Sequence, residues 1–101
     1  MHKSRNLKLV ALIVSTRGVD PREVEAMTRD ALTMFEDEAR SPITRLLLAL
    51  ARDCGMRGSR ALNAAEGFAE CGWAGLADEQ FVIASANFRA CFALLLEISY
   101  A

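Results

Sequence analysis

The stretch LALARDCGMRGSRALNAAEG, residues 48–67, decides how many helices the chain has. Apolar and small residues recur at helical spacing on both sides of Gly55 and Gly58, and Ser59 is a good helix N-cap. The segment reads as the end of one helix, a glycine-marked turn and the start of another. Such a turn either joins two packed helices or belongs to a DNA-reading helix-turn-helix. On the latter template Ala51, Gly55, Leu50, Cys54, Met56, Ala61 and Ala64 take the small or buried positions of two steeply crossing helices. Arg57, Ser59, Arg60 and Asn63 then face the groove, where arginine suits guanine and asparagine suits adenine. Against this, the Gly58-Ser59 pair lengthens the turn, Leu62 would be an exposed leucine, and Glu66 would face phosphate. An ordinary helical hairpin needs the same glycine, cap and small contacts, and is the preferred reading.

Working outward, two helix starts are marked plainly. Asp20 caps, Pro21 takes the first helical position where a missing N–H costs nothing, and Glu23 stands where a capping-box carboxylate would. Ser41 and Pro42 repeat the pattern. With weaker signals at Ser59 and Asp78, and glycines at 18, 55, 72 and 75 as stops, the expected elements run over 5–16, 21–40, 42–54, 60–71 and 79–99. The first also suits a strand, but no second strand candidate exists to pair with it. The second is amphipathic, with Val24, Met27, Ala31, Met34 and Phe35 on one face. Its other face carries the i,i+4 pairs Glu25–Arg29 and Glu36–Arg40. The third carries Ile43, Leu46, Leu47, Leu50 and Cys54 on a stripe so broad that coverage from more than one side is expected. The last, DEQFVIASANFRACFALLLEISY, is the most apolar. Asn87, Arg89 and Glu97 interrupt it and no basic anchors flank it, so it reads as a central or interface helix rather than a membrane span. The expected fold is all-α: one compact domain of four to five helices over residues 1–101, a long apolar C-terminal helix, and residues 1–4 as a flexible N-terminus.

The bulk composition constrains function. Of 101 residues, 52% are hydrophobic and 25% charged, a surplus of apolar surface that association removes most simply. A formal net charge of −1 offers no global attraction to phosphate backbones or anionic membranes. The cysteines Cys54, Cys71 and Cys91 form no C-x-x-C pair and lie in apolar helical patterns, which suits a reduced, cytoplasmic setting. His2, Lys3, Arg5 and Lys8 precede an apolar run in the order of a signal peptide, yet that run, Leu9 to Val14, is short and no cleavage pattern follows.

Chemistry is hard to place on this chain. Its one histidine is His2, so neither a Cys–His pair nor an E-x-x-H metal motif exists, and the glycines lack a phosphate-loop pattern. Glu66 and Glu70 share a helix face but read as solvated surface. No catalytic residue, metal ligand or cofactor is assigned. The expectation is a non-catalytic protein–protein interaction module, an adaptor, regulator or inhibitor, acting as a homodimer. The expected seam is the last helix, through Phe81, Phe88, Phe92, Leu95 and Ile98. The alternative is a dimeric helix-turn-helix regulator that uses residues 46–66 on DNA, with Arg57, Ser59, Arg60 and Asn63 as its contacts.

Overall fold

In the computed structural model, which describes Leu9, Leu12 and residues 18–100, the described chain forms three helices: α1 (Pro21–Phe35), α2 (Pro42–Glu70) and α3 (Ala74–Tyr100). The all-α class stands, and the count of four to five helices is corrected to three. The expected pieces 42–54 and 60–71 are one continuous helix of 29 residues. The expected element over 5–16 and the N-terminal residues 1–4 lie outside the described residues, save Leu9 and Leu12, which are helical and pack with the core.

The physical reason for the fusion is that Gly55 and Gly58 act through their missing side chains. Neither has a positive φ; among the described residues only Gly18 and Gly72 do. A Cβ on Gly58 would lie 2.5 Å from Cε1 and 2.7 Å from Cδ1 of Phe88, so bare backbone lets the α3 ring come up against α2. A Cβ on Gly55 would lie 3.3 Å from Leu32 Cδ1 and 3.5 Å from Thr28 Cγ2, an allowance for α1. Each glycine costs about 1 kcal/mol of helix propensity, which close packing on two sides offsets.

The true turn comes at Gly72. Its N–H bonds the carbonyl of Ala69 at 3.0 Å, and the N–H of Trp73 bonds that of Phe68 at 2.9 Å. With φ at 79° on Gly72, this is a Schellman motif. The rings of Phe68 and Trp73 supply its apolar contact, their centroids 5.9 Å apart. The chain reverses at once, so α3 begins at Ala74 and not near Asp78. The two long helices thus form an antiparallel hairpin.

The marked starts hold. The Arg22 N–H donates to Asp20 Oδ1 at 2.9 Å, and Ser41 with Thr44 forms a reciprocal capping box ahead of Pro42. The end of α1 is earlier than expected, at Phe35, because Glu36, Asp37 and Glu38 carry negative charge at the negative end of the helix dipole. The Glu36–Arg40 pair is therefore not made: Arg40 donates to the Asp37 carbonyl at 2.9 Å and Glu36 meets Arg52 at 3.3 Å. Phe35, Leu62, Phe88, Cys91, Phe92 and Leu95 form the fully buried core. Ala51, Ala61, Ala65 and Ala84 allow the helices to approach closely around them.

Candidate interaction surfaces

The expected seam is placed inside the monomer. Phe88, Phe92, Leu95 and Ile98 are 0–4% exposed and Phe81 is half-buried. As α2 and α1 already cover these side chains, they are not available to a second chain; this corrects the assignment. By length and composition α3 is apolar enough to cross a membrane, and a third of its most apolar stretch is buried in the fold.

The groove-reading set is likewise redistributed. Since α2 runs unbroken through Gly55 and Gly58, no turn separates a recognition helix from its support. Leu50 and Met56, which that motif would bury, are 45% and 55% exposed, whereas Leu62 is fully buried. Arg57 pairs with Asp53 at 3.0 Å one turn away, and Ser59 is half-buried. Asn63 accepts from Arg22 Nη2 at 2.8 Å, and Arg60 is exposed. Arg60 and Asn63 face solvent and Leu62 and Ala65 face the core, while Ala69, at the same helical spacing, is exposed.

A clamp that the sequence did not announce fastens α1 to α2. Arg22 reaches Glu66 with two nitrogens, Nε at 2.7 Å and Nη2 at 2.6 Å, and Glu25 with Nη1 at 2.8 Å. These hydrogen bonds raise the Arg22 guanidinium and lower Glu66. Burial pushes Glu25 upward, but hydrogen bonds from Ser59 and Arg22, and the charges of Arg22 and Arg29, more than offset it and leave its carboxyl below the usual range. Glu25, expected on the surface with Arg29 and Arg40, keeps only 13% of its side chain exposed. Arg29 stands 3.9 Å from it, and both Arg29 and Arg40 are exposed.

With Arg22 at Glu66, Leu32 at Gly55 and Glu36 at Arg52, α1 runs antiparallel to α2 along residues 52–66. Between them lies a cleft of about 420 Å³, floored by Thr28, Leu32, Gly55, Met56 and Phe88 and edged by arginines.

Among the described residues, the opposite side of the hairpin has no such cover. Ile43, Leu46 and Leu50 recur at i, i+3 and i+7, half a turn around α2 from the residues that meet α1, and are 58%, 55% and 45% exposed. Leu76, Ile83, Ala90 and Leu94 repeat at heptad-like spacing on α3, and Ile83 shares a shallow hollow with Arg57, Ala61 and Asn87. The molecule measures 46 × 24 × 15 Å, too thin for a 15-residue α1 to shield both sides of helices some 40 Å long. This uncovered row was half legible in the breadth of the third segment's apolar stripe.

No protein-family model, curated protein or solved structure matches the chain. The described residues 18–100 form a three-helix all-α arrangement with one side of the hairpin covered and the other uncovered by any described element.

Proposed function

We propose that the chain is a non-catalytic helical interaction module of the adaptor, regulator or inhibitor kind, which works as a homodimer through the uncovered side of its hairpin. The observation that carries this reading is the row of half-exposed Ile43, Leu46 and Leu50 on a face no described element covers, with Ile83 farther along the same side of the hairpin, next to Ala61. A second copy presenting the same face satisfies the isologous geometry of a two-fold dimer. Half-exposed aliphatic side chains contribute roughly 1 kcal/mol each when covered, and a symmetric interface counts every one twice. Five such positions per chain, Leu76 included, supply on the order of 10 kcal/mol, and an association cost of about 4 kcal/mol leaves roughly 6, a dimer with a dissociation constant on the order of tens of micromolar.

Sedimentation velocity over a dilution series tests this. The expected result is a monomer–dimer equilibrium that Leu46→Glu with Leu50→Glu abolishes while the helical spectrum and unfolding midpoint stay unchanged. A monomer throughout, or a dimer indifferent to both glutamates, would defeat the proposal.

A further inference from the structure

The cleft between α1 and α2 is on the side away from the proposed dimer face and is open to a ligand of its own. Its floor is apolar and close to backbone because Gly55 contributes no side chain, and the ring of Phe88 reaches it from α3. Its edge carries Arg29, Arg52 and Arg60 against one carboxylate, Glu25. That carboxylate is already engaged by Arg22 at 2.8 Å. Arg52 meets only the exposed Glu36, at 3.3 Å, and Arg60 pairs with no carboxylate among the described residues. The cleft is also short. The Arg22–Glu66–Asn63 cluster closes one end and Arg52–Glu36 the other, so it holds a small molecule rather than a through-running helix. Its volume lies in the range of small-ligand sites, which are apolar with a few placed polar groups.

We propose that this cleft binds a small amphipathic carboxylate, its apolar tail against Leu32, Met56 and Phe88 and its head group between Arg52 and Arg60. Arginine is the side chain suited to the head group, since its planar fork matches a carboxylate in two hydrogen bonds.

The test is an amide chemical-shift titration of the full chain with decanoate and, in parallel, with decan-1-ol. Saturable shifts are expected at Thr28, Leu32, Gly55 and Met56 for decanoate, with the alcohol weaker by about fivefold or more, as befits an exposed charge-assisted contact. Arg52→Glu with Arg60→Glu, both at exposed positions, is expected to remove the preference for the acid while leaving the fold intact. The absence of saturable shifts, equal affinity for acid and alcohol, or a preference untouched by the two glutamates would each overturn the proposal. So would shifts confined to residues 43–50, which place the ligand on the opposite face. Arg60 also lines the hollow that holds Ile83, so Arg52→Glu alone is titrated as well, and a preference that it leaves untouched would likewise overturn the proposal.

Discussion

Replacing Gly58 with alanine should destabilise the protein although it improves helix propensity. The new methyl would sit 2.5 Å from Phe88 Cε1, and the ring is 1% exposed, so it has no solvent-side position to retreat to. Overpacking of this kind costs about 1–3 kcal/mol, against roughly 1 kcal/mol gained by removing a helical glycine. Gly67→Ala is the matched control, since it lies in the same helix and nothing stands within 4 Å of its added Cβ. It should gain about 0.5–1 kcal/mol. The difference between the two variants isolates the overpacking term, because the propensity gains cancel. Urea unfolding followed by circular dichroism reads it, and a cycle with Phe88→Leu, whose smaller side chain vacates the contact, should give a coupling of about 1 kcal/mol. If the two alanines prove equally stable, or the cycle is additive, Phe88 does not pack on position 58. The continuous α2 would then be wrong.

Further outcomes follow from the same contacts. Asp20→Ala should cost about 0.5–2 kcal/mol in urea unfolding through loss of the cap on Arg22 N–H. Glu25 and Glu66 both have folded-state pKa values below their ordinary 4.5, so they contribute stability above that value, which is lost as pH falls through the folded pKa. Arg22→Gln should therefore flatten the acid limb of a stability–pH curve, and an unchanged limb would remove the clamp. At neutral pH the exposed Cys71 should react promptly with a disulfide reagent. Cys91, buried and pushed up to about 12 by burial and by Cys54 nearby, should react only on unfolding.

Local signals were readable in the sequence wherever a single residue's chemistry settles the matter. Asp20-Pro21 and Ser41-Pro42 start helices because caps act over three residues. The glycines were not readable, since the same residue serves a left-handed turn at Gly72 and a close contact at Gly58. What separates the two is Phe88, thirty positions away. The expected seam failed for a related reason. Apolarity around α3 says that the helix is buried, not by what, and its own hairpin partner is the cover. The uncovered row on α2 looked like core because a stripe of leucines has the same spacing whether a neighbour lies over it or not. The Arg22–Glu66 clamp spans 44 positions and leaves no local pattern.

The central claim, that a second copy seats on the uncovered side of the α2–α3 hairpin, is tested most directly by isotope-filtered nuclear Overhauser spectroscopy on a mixture of labelled and unlabelled chains. Contacts between chains are predicted at the methyls of Ile43, Leu46, Leu50 and Ile83, with none at Leu95. Contacts confined to the α1 side, contacts at Leu95 and Ile98, or no contact between chains at concentrations well above tens of micromolar would contradict it.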